Sequence, residues 1–110
     1  MFHISSDVYS TLTVAIQHQI PVWLVYNGSR RLVCPQSLGK SAKGQTNCLC
    51  YQTGGESSSG LEHPGSDNNW RCLRVSKISE AELSPFSRWL SGGNHSCANN
   101  CVVNVDVEAC

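Results

Sequence analysis

"PVWLVYNGSRRLVCP", residues 21–35, decides how this chain is read. Between two prolines lies one apolar run, Val22 to Tyr26, built of β-branched and aromatic residues. Such residues suit a pleated, half-buried surface. Asn27-Gly28 follows, and a two-residue type I′ turn needs positive φ at both central positions, which Asn and Gly tolerate best. The return run alternates, with Leu32 and Cys34 on one face and Arg31 and Val33 on the other. Pro35 lacks an N–H, so it ends this strand or confines it to an edge. The stretch predicts a β-hairpin.

Upstream, "SSDVYSTLTVAIQHQIP" (5–21) predicts a helix. Ser5 or Ser6 caps it and Asp7 suits its first turn. Val8, Leu12, Ala15 and Ile16 share one face at helical spacing, and Pro21 stops it. Downstream, "SLGKSAKGQ" (37–45) reads as a loop and "TNCLCYQ" (46–52) as a third strand. "TGGESSSGLEHPGSDNN" (53–69) reads as a long flexible loop, of the kind that is usually functional or mobile. "WRCLRVSKI" (70–78) is a fourth strand. Ser79 and Glu82 form a capping-box pattern, and Pro85 restarts a helical segment that turns Phe86, Trp89 and Leu90 inward. In the tail "CVVNVDVEAC" (101–110), Val103, Val105 and Val107 alternate with Asn104, Asp106 and Glu108, as in a half-buried strand. The expected fold is mainly β with helices (α+β), one domain over residues 1–110. Its form is a small five-stranded SH3/Sm-like partly open barrel, with an N-terminal helix and a helical segment before the last strand.

Composition narrows the function. The chain has 110 residues, no net charge and a pI near 6.9. A protein that coats nucleic acid needs a broad basic face, so that class is excluded. One cluster stands out against the neutral background: Arg71, Arg74 and Lys77 fall within seven residues. On a straight strand Arg71 and Lys77 share a face with Leu73 and Val75, and Arg74 takes the other. Arginine's planar fork suits phosphate. Tyr51 and Trp70 lie near enough in sequence to stack a base. The bland reading is that these cations are only the wet side of a strand.

The seven cysteines are Cys34, Cys48, Cys50, Cys72, Cys97, Cys101 and Cys110. The N-terminus lacks the basic and apolar regions of a signal peptide, so the expected localisation is cytoplasmic. In a reducing compartment most of these thiols act as small buried hydrophobes. His95, Cys97 and Cys101 have some of the character of a zinc site, with Cys110 or Cys72 as a fourth ligand. The second close pair that a structural zinc site normally shows is missing, so a turn leading into the last strand is the preferred reading, and no cofactor is expected. A Cys97–Cys101 bridge, or one to Cys110, is the oxidised alternative. No apolar run approaches the roughly 20 residues of a membrane span. No histidine has an evident nucleophile partner, and the chain is not read as an enzyme.

Three stretches align in order with one family. "RLVCP" (Arg31, Val33, Pro35) matches an R-x-V-x-P element, "TNCLCYQ" sits where that family has a Trp-Tyr-Leu strand, and "RCLRVSKI" resembles its R-x-F-R-L-D-R-I strand. Over roughly residues 6–80 the chain resembles a WYL domain. That family comprises Sm-like barrels of bacterial regulators and phage-defence proteins, thought to sense nucleotides or nucleic-acid ligands. The pattern departs at Asn47, Cys48 and Leu49, which replace Trp-Tyr-Leu, and at Ser76 and Lys77, which replace Asp-Arg. The resemblance implies a regulatory ligand-binding module in which Arg31 neighbours Arg71. The ligand-binding residues expected are therefore Arg31, Arg71, Arg74, Lys77, Tyr51 and Trp70, and the expected partner is a nucleotide or short nucleic acid. The alternative is a protein-interaction or homo-oligomerisation module acting through edge strands.

Overall fold

The structure is a computed structural model that describes residues 5–57, 60–91 and 101–109. Helix α1 (Ser5–His18) precedes six strands: β1 (Val22–Tyr26), β2 (Ser29–Lys40), β3 (Thr46–Gly55), β4 (Trp70–Arg74), β5 (Ile78–Leu83) and β6 (Asn104–Glu108). Short 3₁₀ turns lie at Asp67–Asn69 and Val75–Lys77. The strands form one antiparallel sheet in the order β4-β3-β2-β1-β5, and β6 pairs with β2. The α+β class holds, but the sheet is not closed into a barrel. None of the described helical residues forms a span long and apolar enough to cross a membrane.

The opening hairpin forms as its turn chemistry dictates. Asn27 and Gly28 take φ of 50° and 82°, and Tyr26 pairs with Ser29. α1 buries Val8, Leu12, Ala15 and Ile16 against the sheet. Its end is closed by the Ile20 N–H donating to the Ala15 carbonyl, with Gln19 in the left-handed region.

Three local readings give way to pairing. Pro35 does not end β2, which continues through Ser37–Lys40 where a loop was expected. The missing N–H is harmless there. β1 leaves β2 at Val33, β6 joins it at Ser37, and the register against β3 shifts between Pro35 and Ser37. Proline therefore occupies a bulge and a gap between two partners. The expected fourth strand breaks at the turn Val75–Lys77, and six strands form among the described residues.

The helical segment foreseen after residue 78 is also absent. Ile78–Leu83 is extended and pairs along the whole of β1, from Tyr26↔Ile78 to Val22↔Leu83. A capping box offers one turn of local bonds, whereas β1 offers a full ladder and buries Ile78. Ser84–Ser87 then forms a turn, with the Ser87 N–H donating to the Ser84 carbonyl. Phe86 sits at its tip, fully exposed rather than turned inward.

The main core lies between α1 and one face of the sheet, with Val22, Leu24, Val33, Leu38, Cys48, Cys50, Leu73 and Ile78 beneath the helix. The disulfide Cys72–Cys101 ties β4 to the segment entering β6, and Asn47 Nδ2 donates to the Cys101 carbonyl (3.0 Å). This corrects two expectations. Cys101 cannot be a zinc ligand with its sulfur bonded to Cys72, and the bridge is neither of those foreseen. His95, Cys97 and Cys110, the rest of that zinc set, lie outside the described residues. Cys34, Cys48 and Cys50 are buried free thiols, as small hydrophobes should be.

Candidate functional site

Register places two cations on the core-facing side of the sheet. Arg31 stands opposite Leu24, and Leu24 and the next-but-one residue Val33 are both buried. Arg71 stands opposite Cys50 and alternates with buried Leu73. Side chains directly opposite, or two apart on one strand, share a face. Arg31 from β2 and Arg71 from β4 therefore project from the same face at one end of the sheet.

Their surroundings are unusual for guanidinium groups. Arg31 is only 8% exposed and lies over the Tyr26 ring, 5.2 Å from its centroid. Its Nε is buried without a hydrogen-bond partner, and so is that of Arg71. Among the described residues, the hydrogen bonds of Arg71 reach neutral acceptors. Nη1 donates to the Asn68 and Trp70 carbonyls, and Nη2 to Ser57 Oγ and the Gly60 carbonyl. Burial, and then the positive charge of Arg31, lower the Arg71 pKa from its ordinary value. That second cause means the two cations sense each other.

Tyr26 organises the rest. Its hydroxyl accepts from the Arg74 backbone N–H (3.2 Å), and the next residue's N–H, at Asn27, donates to the Lys77 carbonyl. The hairpin tip, β4 and the Val75–Lys77 turn thus meet around one aromatic ring. Arg74 is exposed and donates from Nη2 to Gln45 Oε1 (2.7 Å). Lys77 is exposed, but the 3₁₀ turn removes it from the strand alternation that was to set it beside Arg71. Tyr26 was missed by sequence reasoning, although a signal existed. The two-residue hairpin sets Tyr26 opposite Ser29, hence diagonal to Arg31, within aromatic reach.

Tyr51 is a correction. It is wholly buried, its hydroxyl donates to the Ser66 carbonyl (2.7 Å), and its ring meets Trp70 edge to face at 5.1 Å. A ring so enclosed has no face left for a base. Trp70 is half-buried on the rim of the same small cluster.

The described parts of the 53–69 stretch, residues 53–57 and 60–69, are held by this neighbourhood. Thr53–Gly55 already belong to β3. Asn69 is buried and closes a short arc back onto its start: its Oδ1 accepts from the Glu62 N–H, and its Nδ2 donates to the Glu62 and His63 carbonyls. Gln52 Nε2 holds the Gly54 and Glu56 carbonyls. Arg71 reaches two further points of the loop, Ser57 and Gly60.

Two surface clefts lie elsewhere. One, about 310 Å³, is lined by Trp23, Val25, Arg30, Glu80 and Glu82. The other, about 460 Å³, is lined by Tyr9, Gln45, Thr46, Arg74 and Val75. Neither is lined by Arg31 or Arg71; Arg31 is buried, Arg71 is half-buried and Arg74 is exposed. Cys34 and Cys50 are poor nucleophiles. Burial pushes Cys34 up to about 11, and Cys50 is raised well above its ordinary value by Cys48, 3.5 Å away, and by burial. A thiol held protonated attacks poorly.

Compared with known proteins, the chain matches no family model, no curated sequence and no solved structure.

Proposed function

We propose that this chain is a non-catalytic, WYL-like binding module that recognises an anionic ligand, most simply the phosphate of a nucleotide or nucleic-acid fragment. The observation that carries this reading is the Arg31–Arg71 pair: two cations from separate strands on one face, each with a buried Nε lacking a partner. Burying unpaired charge is costly, and a phosphate offers acceptors matched to guanidinium geometry. Arg74 and Lys77 meet the Tyr26 end of the hairpin through their backbones, and their exposed side chains would assist an approaching anion. Tyr26, rather than Tyr51, supplies the ring beside it, with Trp70 on the rim. An entering phosphate would take over donors that Arg71 now spends on neutral loop carbonyls.

The strand order, together with the 3₁₀ turn between β4 and β5, supports a partly open SH3/Sm-type arrangement for the module. Zero net charge favours one small anion over a long polyanion. A cytoplasmic location fits the three buried free thiols, but the Cys72–Cys101 bridge is of a kind that persists mainly in oxidising compartments.

The test is calorimetry against a nucleotide panel, with Arg31→Gln/Arg71→Gln as the variant and circular dichroism as the check on folding. The expected result is binding by the parent chain and at least tenfold weaker binding by the folded variant. Equal affinity, or no binding by the parent across the panel, rejects the site.

A second reading rests on Val103 and Val105, which are 48% and 41% exposed beside and on β6. An apolar edge of this kind suits pairing with another chain. If the module self-associates there, Val105→Glu lowers the mass seen by light scattering; an unchanged mass ends that reading.

A further inference from the structure

The face of the sheet opposite Arg31 and Arg71 carries a separate site. On β1, Val22 and Leu24 point into the core, so Trp23 and Val25 point outward. Pairing builds two rungs there: Leu32–Trp23–Glu82 and Arg30–Val25–Glu80. The result is an apolar floor on β1 between a basic wall on β2 and an acidic wall on β5, around a cleft of about 310 Å³. That volume is at the lower end of small-molecule sites, and the lining is mostly polar, as a charged ligand requires.

The register sets the columns from which the charges project. Arg30 leans across from β2, and its guanidinium lies over the Trp23 ring, 4.5 Å from the centroid. Glu56 occupies only the Arg30 backbone N–H (3.3 Å). The positive group therefore stands in the β1 column, and Glu82 stands in the next column, roughly 5 Å away by strand spacing. Glu80 is two residues along the same face, roughly 7 Å from Glu82, so one ammonium fits between the two carboxylates.

We propose that this cleft binds a small zwitterion of the α-amino-acid class. Its carboxylate meets Arg30 where that group caps Trp23, its ammonium lies between Glu80 and Glu82, and its apolar body rests on Val25. A simple anion meets the acidic wall and a simple cation meets Arg30, so walls of opposite sign select a molecule that carries both charges. The inference does not depend on the phosphate reading, because Arg30 and Arg31 are neighbours in sequence that face opposite sides of the sheet.

The experiment uses the full chain labelled with ¹⁵N and three probes: leucine, leucine methyl ester (cation only) and N-acetylleucine (anion only). Leucine is expected to give saturable shifts confined to β1, β2, β5 and the Trp23 indole, with each analogue at least tenfold weaker. Arg30→Gln should abolish the preference over the methyl ester, and Glu80→Gln/Glu82→Gln the preference over N-acetylleucine. These are surface changes, and Arg31→Gln/Arg71→Gln should bind leucine as the parent does. Absence of saturable shifts with leucine, or analogues that match it, overturns the proposal. So does loss of leucine binding in the Arg31/Arg71 variant.

Discussion

Gly39→Ala is the substitution that probes this architecture most directly. Gly39 lies in β2 where β6 pairs with it, opposite Val105. A Cβ built there would meet the Asn104 carbonyl oxygen far inside the 3.0 Å limit that real Cβ atoms keep, and Val102 Cγ1 at 2.9 Å. The obstacle is backbone, so β6 must move away by about an ångström, which breaks neighbouring ladder bonds. Two lost bonds cost about 1 kcal/mol each, and overpacking against buried Val102 costs about 1–3 kcal/mol. The general gain from replacing a strand glycine offsets about 0.5–1 kcal/mol. The net loss is about 2–4 kcal/mol, which shows in urea melts, with hydrogen exchange accelerated first in β6. Gly54→Ala is the matched control: its Cβ would meet Leu32 at 3.5 Å, an ordinary contact, so its stability should stay within about 0.5 kcal/mol. A Gly39→Ala chain as stable as the Gly54→Ala chain would refute the close β2–β6 approach and the placement of the last strand.

Two other outcomes follow from the cysteines. Opening the Cys72–Cys101 bridge frees a loop of sequence separation 29, and loop-closure entropy puts the loss near 3–4 kcal/mol. A dithiothreitol-dependent fall in the urea midpoint, absent from a Cys72→Ala/Cys101→Ala chain, checks it; a midpoint indifferent to reductant would contradict the bridge. Cys34, raised from an ordinary 9.0 to about 11 by burial, binds its proton more tightly in the folded state. Its contribution is complete below pH 9 and is lost as pH rises toward 11, by about 2 kcal/mol. Cys50 acts in the same direction. Stability measured from pH 7 to 11 should therefore decline above pH 9, less steeply in Cys34→Ala. An identical slope in that variant would exclude Cys34 as a source.

What the sequence determined by itself is what neighbouring residues settle between them. The Asn27-Gly28 turn, the hairpin that it joins and the apolar face of α1 each rest on torsional preference or spacing within a few residues. So does the extended character of Cys48, Cys50 and Leu73. The tertiary structure alone decided everything that depends on a distant partner. Residues 78–83 carry a helix-start signal yet become a strand, because β1 presents an unpaired edge that local bonds cannot match. Cys72 finds Cys101 because the β2–β6 pairing returns the tail to β4, a closure that no spacing rule contains. Tyr51 looked like a surface aromatic until the loop around Ser66 and Asn69 covered it. Arg31 and Arg71 are 40 positions apart in the chain, and only the registers of β1 with β2 and of β3 with β4 turn them to the same face. Local conformational energies are legible one segment at a time, whereas the free energy of burying one segment against another exists only once both are in place.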